Sequence, residues 1–264
     1  MKNYLPLLKN DKFEGQDMDP QYFAKTPFYK SMNAKILSII PSQDRQILEW
    51  GCAFGDLTVN IARKLPKARI YGVESDTTIV EMICGKYAPE DYRNVHFEVA
   101  HLDEIEDYVK VRYLQLDLLV LPFILHRLGD REKKFNFFKD IVKLPASPRI
   151  IVCDLFQPAN ATERAIRKFW DERAGEIYRH TFWREFDAEL EREFNFGEAK
   201  RIAQQAAREA QSLELEMGKN LTSKEDSYLI SESDLEQIAA EAGFSHIFHE
   251  KVDAWGNSIF VIQK

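Results

Sequence analysis

The pattern of apolar and polar residues divides the chain into short apolar runs that alternate with helical segments. Near-continuous runs of branched aliphatic residues are typical of strands buried on both faces of a sheet. Between them, apolar residues recur every three or four positions, which is typical of amphipathic helices. The predicted strands are Ile47–Trp50, Arg69–Glu74, Val95–Val99, Leu116–Leu121 and Arg149–Asp154. This alternation predicts a parallel sheet with helices on both faces.

Two more strands are predicted near the end of the chain. A helix should begin at Ser231, a typical N-terminal cap, and stop at Gly243. The runs His246–Val252 and Ser258–Ile262 then flank a turn around Gly256, which indicates a hairpin with an antiparallel edge. The predicted fold class is therefore α/β: a Rossmann-like, mostly parallel sheet of seven strands, with an antiparallel last strand and a helical insertion.

The same pattern suggests four segments. Residues 1–40 contain a predicted helix that ends before Pro41 and are expected to form an N-terminal cap or lid. Residues 41–156 form the cofactor-binding core. Residues 157–226 hold no candidate strand and many aromatic residues, so we expect a helical insertion that serves as a substrate lid or a dimer contact. Residues 227–264 return to the core with the last helix and two strands.

Composition limits the binding partners and the cellular compartment that can be expected for the protein. The formal net charge of −7 argues against a chain built to grip a nucleic acid backbone. The three cysteines, Cys52, Cys84 and Cys153, are scattered, which indicates a reducing compartment rather than a disulfide scaffold. No signal peptide is recognised, and no apolar run reaches the ~20 residues that span a bilayer. We expect a cytoplasmic protein without membrane contact.

A glycine-containing turn follows the first strand. Glu49 precedes it, Gly51–Gly55 form it, and a helix is predicted from Asp56. Strand, glycine turn and helix make a nucleotide-binding βα unit, because small residues let a ligand lie against the backbone at a helix N-terminus. The turn lacks the third glycine of a dinucleotide fingerprint and the Gly-Lys-Ser/Thr of a phosphate-binding loop.

Polar residues also follow the next two strands. Glu74 ends the second strand, where a carboxylate can accept hydrogen bonds from ribose hydroxyls. His101 and Asp103 follow the third strand. Since ligands of open α/β sheets bind at the carboxyl ends of the strands, we expect these groups to share one crevice.

Four stretches together resemble class I S-adenosylmethionine-dependent methyltransferases of the small-molecule type. Leu48–Gly55 resembles the first motif of that family and Tyr71–Asp76 the second. Val95–Asp103 resembles the third motif and Asp117–Leu128 the fourth. The terminal hairpin matches strands six and seven of the family. The resemblance covers roughly residues 45–156 and 227–264, and it implies a methyltransferase enzyme that uses S-adenosyl-L-methionine (SAM), gives S-adenosyl-L-homocysteine (SAH) and needs no metal.

The resemblance also implies roles by position. The turn backbone would approach the methionine part of the cofactor, and Glu49 would hold its amino group directly or through water. Glu74 would bind the ribose, whereas His101 and Leu102 would flank the adenine. The complete implied cofactor set is Glu49, Gly51, Cys52, Ala53, Gly55, Glu74, Ser75, His101, Leu102 and Pro122.

Two residues depart from the family pattern. Ala53 replaces the middle glycine of the first motif, which is tolerable if its φ stays negative. His101 stands where many members have Asp, so the contact to the adenine amino group would fall to a backbone carbonyl or to Asp103.

Methyl transfer to a protonated acceptor needs a base, and two residues after strands four and five are candidates. His126 and Asp154 are the predicted catalytic residues. The predicted substrate-binding residues are Tyr29, Tyr178, His180 and Trp183. The fourth motif lacks the Asn/Asp-Pro-Pro-Tyr/Phe of enzymes that methylate amino groups of nucleic acids and protein glutamine. We therefore expect methylation of a small molecule at oxygen, nitrogen or carbon.

Three alternatives stay open at this point. The arrangement also resembles carboxy-S-adenosylmethionine synthase, which uses the same scaffold without methylating anything. A SAM-binding partner protein without catalysis would suit the degenerate first motif. An RNA methyltransferase that depends on a partner protein to bind RNA is the third alternative. The aromatic insertion is also compatible with a homodimer.

Overall fold

The computed structural model describes residues 27–87, 91–157, 230–252 and 257–264. The chain divides into two compact units, one of residues 1–30 and 161–226 and the other of residues 31–160 and 227–264. Nearly all of the first unit, including most of the predicted insertion, lies outside the described residues. The predicted lid and dimer contact therefore stay predictions. The elements described below belong to the second unit, except that the first helix begins with residues 27–30 of the first unit.

The elements alternate along the chain as the apolar pattern predicts. The helices are α1 (Pro27–Ile39), α2 (Asp56–Lys64), α3 (Thr77–Lys86), α4 (Ile105–Val111), α5 (Arg131–Val142) and α6 (Glu232–Ala242). The strands are β1 (Gln46–Trp50), β2 (Arg69–Glu74), β3 (Val95–Val99), β4 (Leu118–Pro122), β5 (Arg149–Leu155), β6 (His246–Lys251) and β7 (Asn257–Gln263). Single turns of 3-10 helix occupy Leu102–Glu104 and Leu125–Arg127.

All seven strands form one sheet in the order β3-β2-β1-β4-β5-β7-β6. The first five pair in parallel, whereas β7 is antiparallel to both β5 and β6. This confirms the predicted fold class, including the antiparallel last strand. The edge differs from the expectation, because β7 inserts between β5 and β6 and leaves β6 outermost.

A large cluster of buried apolar residues lies on one face of the sheet, and further buried apolar residues, such as Ile47 of β1 and Leu57 of α2, lie outside this cluster. Alternate residues of the central strands, such as Leu48 and Trp50 of β1, point to this face and join apolar residues of α4, α5 and α6. The intervening residue Glu49 points to the opposite face, where it meets Thr58 of α2. In the described part of the chain, no helix is both long and apolar enough to cross a bilayer.

Local side-chain and backbone interactions cap several helix ends, including both predicted ends of α6. The Asp76 carboxylate accepts hydrogen bonds from the N–H groups of Thr78 and Ile79 and caps α3. Ser231 caps α6 in a reciprocal box with Asp234, and Gly243 ends that helix in the left-handed conformation. Helix α4 was not predicted, because its seven residues are too few to display a clear apolar period.

Candidate functional site

The turn after β1 is fixed to the end of β2. The N–H groups of Gly51 and Cys52 both donate to the carbonyl oxygen of Val73, at 2.8 and 2.9 Å. Gly55 donates in turn to the carbonyl of Cys52 at 2.9 Å and becomes the N-cap of α2. Parallel pairing thus brings the predicted cradle and Glu74 to the same carboxyl edge.

Three residues of the turn have left-handed backbone conformations. Gly51 has φ 84° and Gly55 has φ 76°, as glycine allows. Ala53 has φ 44°, so the condition of a negative φ under which this substitution is tolerable is not met. The reason is tertiary: the Ala53 N–H points at Glu74 Oε2 and donates to it at 3.0 Å. A left-handed alanine costs roughly 1–2 kcal/mol, which this charge-assisted hydrogen bond offsets.

Gly51 is needed for packing as well as for its φ. A Cβ at this position would lie 2.4 Å from Cγ2 of Ile124, a buried residue of the segment after β4. The glycine therefore lets the β1 turn and the β4 segment approach closely, which joins the predicted cofactor cradle to the segment that carries His126.

Glu74 is a junction between three parts of the edge. Its side chain is buried, and besides the bond from Ala53 its Oε1 accepts from the N–H and the hydroxyl of Ser75 at 2.8 and 3.0 Å. Oε1 also accepts a longer bond of 3.4 Å from the Asp76 N–H, so Oε2, which has one bond, is the oxygen with room for a further donor such as a ribose hydroxyl. Ser75, also in the predicted set, thus orients Glu74.

Glu49 is fully buried beneath the turn. Its Oε2 accepts a hydrogen bond of 2.5 Å from the Thr58 hydroxyl, whereas its Oε1 has no partner among the described residues. Burial raises the pKa of Glu49 to about 8; the Thr58 hydrogen bond opposes this rise, and the negative charges of Asp56 and Glu74 add to it. A positive charge nearby would favour the ionised form of such a buried acid.

The surroundings of the turn are acidic. Asp56 occupies the first turn of α2, where its carboxylate is bound by Lys86 and by the Tyr87 hydroxyl at 3.0 and 2.7 Å. A helix N-terminus that holds a phosphate needs that position free of negative charge. With Glu49 and Glu74 close by, this edge suits a ligand that brings positive charge rather than a pyrophosphate.

The end of β3 carries the predicted adenine residues. The indole N–H of Trp50 donates to the Leu102 carbonyl at 3.2 Å, which fixes the segment. His101 is exposed, and its backbone N–H donates to Glu104 rather than to the crevice. Leu102 and Asp103 line a cavity of about 410 Å³, together with Arg127, Leu128, Lys133, Asn136, Phe137 and Asp140. His101 does not line this cavity, and neither do the turn residues or Glu74.

The two predicted catalytic residues are in contact. Asp154 Oδ1 lies 2.9 Å from Nδ1 of His126, although the residues are 28 positions apart. Asp154 is buried, and its Oδ2 accepts from the backbone N–H groups of Leu125 and His126 at 2.7 and 3.4 Å. The His126 side chain keeps 29% of its surface exposed. The carboxylate thus fixes both the backbone turn and the ring, and it leaves Nε2 as the remaining ring nitrogen.

A buried lysine was missed from the sequence. Lys134 in the first turn of α5 is fully buried, and its ammonium group donates to the Gly129 carbonyl. Burial lowers the pKa of Lys134 to about 8, against the attraction of Asp154 and Asp130. The sequence offered no signal, because Lys134 looks like one more charge on a solvent-facing helix.

The remaining predicted residues divide between described and undescribed parts. Cys52 and Pro122 are buried at the ends of β1 and β4. Tyr29 lies in the part of α1 that belongs to the other compact unit, so its predicted substrate contact stays a prediction. Tyr178, His180 and Trp183 lie outside the described residues. Among the residues that the structure describes, no group of three or more His, Cys, Asp or Glu side chains could hold a metal ion.

Comparison with known families gives a match over the start of the sheet. A family model described as "Putative methyltransferase" matches residues 43–118, from just before β1 to the first residue of β4. A comparison with curated protein sequences finds no match.

Solved structures share the fold. PigF with SAH superposes with a TM-score of 0.57 at 16% identity, over 100% of this chain and 62% of its own. An O-methyltransferase family protein from Burkholderia thailandensis gives 0.57 at 9% identity, over 99% of this chain and 63% of its own. A SAM-dependent methyltransferase from Aquifex aeolicus gives 0.52 at 11%, over 90% and 92%. The chain thus spans less than two thirds of the first two proteins.

At these identities the structural matches establish the fold. Together with the family model, they confirm the resemblance to class I SAM-dependent methyltransferases predicted from the four motifs, and they support the prediction of an enzyme.

Proposed function

We propose that this chain is a SAM-dependent methyltransferase that removes a proton from a small-molecule acceptor and methylates it. The observation that carries the proposal is the His126–Asp154 pair, which lies at the same carboxyl edge as an acid-lined turn. The acid-lined turn suits a cationic cofactor, and the His126–Asp154 pair suits proton transfer. Methyl transfer to a hydroxyl group requires both.

The acids around the turn fit SAM better than a phosphate-bearing nucleotide. SAM carries a sulfonium and an ammonium group and no phosphate, and its sulfonium supplies an electrophilic methyl carbon. Glu74 would bind the ribose. Glu49 would hold the positively charged amino group of the cofactor, directly or through water. His101 and Leu102 would flank the adenine, and a backbone carbonyl or Asp103 would bind its amino group.

His126 would act as the general base. Its Nδ1 is held by Asp154, so the tautomer with hydrogen on Nδ1 is favoured and Nε2 carries the free lone pair. As Nε2 takes the acceptor's proton, the Asp154 carboxylate stabilises the imidazolium that forms. Asp154 is then a positioning residue rather than the base, because its oxygens are already engaged by His126 and Leu125.

A general base at His126, positioned by Asp154, favours an acceptor whose nucleophilic atom carries a removable proton, such as a hydroxyl group. One structural neighbour is an O-methyltransferase family protein, which agrees by analogy of fold. A carbon or nitrogen acceptor would use the same base if its proton must also leave.

The test combines cofactor binding with methyl transfer. Purified full-length chain is titrated with SAM and SAH in a calorimeter, and is then incubated with methyl-labelled SAM and fractions of small metabolites. Label transferred to a metabolite, and lost in His126→Gln, supports the proposal. No binding of either ligand overturns it, binding without transfer favours a non-catalytic partner protein, and a cofactor that gains a carboxylate favours the synthase.

A further inference from the structure

Residues 124–130, the His126 segment, follow the end of β4 and lead into α5. Asp154 holds the beginning of this segment. Its carboxylate accepts from the N–H groups of Leu125 and His126 at 2.7 and 3.4 Å and lies 2.9 Å from Nδ1 of the ring. The Leu128 N–H donates to the carbonyl of Leu125 at 3.2 Å and closes the turn that presents His126. These contacts fix the first half of the segment.

The end of the His126 segment is held by a buried ammonium group. Lys134 of α5 is fully buried, and its Nζ donates a hydrogen bond to the carbonyl oxygen of Gly129. Gly129 has a left-handed backbone with φ 86°, and Asp130, directly after it, caps α5 by accepting from the Lys133 N–H at 3.0 Å. The turn into α5 is thus fixed by Asp130 on the exposed side and by Lys134 from the interior.

The charge of Lys134 complements that of Asp154. An ammonium group taken out of water needs an acceptor and a negative charge nearby. Gly129 supplies the acceptor, and Asp154 exerts a stronger attraction on the ammonium group than Asp130 does. Burial lowers the pKa of Lys134 to about 8 against these two charges, so the group is still charged at pH 7. The buried groups at the beginning and the end of the segment therefore carry opposite charges.

We propose that Lys134 is a positioning residue for His126: its ammonium group anchors the end of the His126 segment, while Asp154 anchors the beginning, so that the ring stays against the Asp154 carboxylate. The inference rests on the proposed function, which takes His126 as the base. Lys134 acts through the Gly129 carbonyl and through its attraction to Asp154.

The expected consequence is a histidine with one tautomer. Hydrogen stays on Nδ1 only while the ring and the Asp154 carboxylate remain within hydrogen-bond distance. Release of the Gly129 carbonyl would loosen the turn between Leu125 and Leu128, and the ring could then leave the carboxylate. Both tautomers would be populated, and the lone pair of Nε2 would no longer be held in one place.

The first test is nuclear magnetic resonance of the full chain without ligand, in which long-range ¹⁵N–¹H couplings report the tautomer of each histidine. The protein has six histidines, so His126→Gln identifies the signals of His126 by their absence. We expect hydrogen on Nδ1 in the wild type and a mixture of tautomers in Lys134→Met, which keeps a long side chain without charge or donor. The matched control Lys139→Met, at a partly exposed position of the same helix, should leave the His126 signals unchanged.

The second test measures methyl transfer with methyl-labelled SAM and fractions of small metabolites. Lys134→Met should slow label transfer about 10–100-fold, since displacement of a catalytic group by about 1 Å can cost 10²-fold. The Kd for SAH should stay unchanged, because the lysine positions the base and not the cofactor. Urea denaturation of the same variants separates this role from a merely structural one, which would alter stability without altering the tautomer of His126.

An unchanged His126 tautomer in folded Lys134→Met would overturn the inference and leave the proposed function intact. If Lys134→Met does not fold, Lys134→Gln decides by the same readouts. Its side chain is neutral and one bond shorter, so an unchanged tautomer and unchanged label transfer in that variant contradict the proposal. If the wild type transfers no label, the proposed function fails, whereas the tautomer comparison still tests whether Lys134 holds His126 in place.

Discussion

Glu74 accepts a 3.0 Å hydrogen bond from the backbone N–H of Ala53, which ties the acid at the end of β2 to the turn after β1. The contact explains why an alanine stands in a left-handed conformation where glycine would be expected. It also means that the predicted ribose acid has a structural role in the free protein. Substitution of either residue should therefore change both the stability of the turn and the affinity for the cofactor.

Replacement of Glu74 should weaken cofactor binding strongly. Glu74→Ala removes the acceptor of the Ala53 and Ser75 hydrogen bonds and of the ribose hydroxyls, so SAH affinity should fall by 1.5–3 kcal/mol, roughly the value of a hydrogen bond to a charged group. Calorimetry measures the loss, and Glu81→Ala on the exposed face of α3 is the control. An unchanged Kd would remove Glu74 from the cofactor site.

Ala53→Gly should stabilise the turn slightly. Glycine relieves the left-handed strain of about 1–2 kcal/mol but gains freedom in the unfolded chain, so we expect a net increase of up to about 1 kcal/mol in the free energy of unfolding. Ala53→Val should be clearly destabilising, because a branched residue tolerates positive φ poorly. Urea denaturation compares the three proteins, and a more stable valine variant would contradict the observed φ.

Gly51→Ala should destabilise the protein for two reasons, its φ of 84° and the 2.4 Å approach of a new Cβ to Ile124. If the clash matters, Ile124→Ala should cost less in the Gly51→Ala background than alone. We expect a coupling energy of at least about 0.5 kcal/mol in the double-mutant cycle, measured by urea denaturation. Strict additivity would show that φ strain alone is responsible.

His126→Gln should impair turnover more than binding. Loss of a general base lowers kcat by about 10²–10⁴-fold, while the Kd for SAH should change little because the proposed mechanism has the ring contact the acceptor rather than the cofactor. Asp154→Asn should lower kcat as well, since it disturbs the tautomer and the turn of Leu125. Glu132→Gln, an exposed residue of α5 that does not line the cavity, serves as the control for methyl transfer. A His126 variant with normal kcat would assign the histidine a packing role.

The buried acid should make stability depend on pH. The pKa of Glu49 is about 8 in the folded protein, against 4.5 ordinarily, so its contribution to stability is fully present below about 4.5 and is lost as the pH rises through about 8. Glu49→Gln removes this dependence, so the variant should gain on the wild type by a few kcal/mol between about pH 5 and about pH 9. Urea unfolding of both proteins without ligand measures the difference, and parallel pH profiles would contradict the buried charge.

The sequence by itself determined the order and most bounds of the elements. Strands β2 and β3 have the bounds that their apolar patterns predict, and helix α2 begins at the predicted Asp56, because strand and helix periods are local properties. The caps at Asp76, Ser231 and Gly243 are equally local, since each depends on a few neighbouring backbone groups. The positions of Glu49, Glu74 and the turn at one edge followed from parallel pairing.

Tertiary structure decided what these residues do with one another. Ala53 is left-handed because Glu74 lies across the edge, and His126 meets Asp154 because β4 and β5 are neighbours. The sequence did not reveal that α5 buries Lys134 or that Thr58 binds one oxygen of Glu49 and leaves the other unpaired. Burial and pairing of charged groups depend on what packs against them from distant parts of the chain, so only the folded structure fixes them.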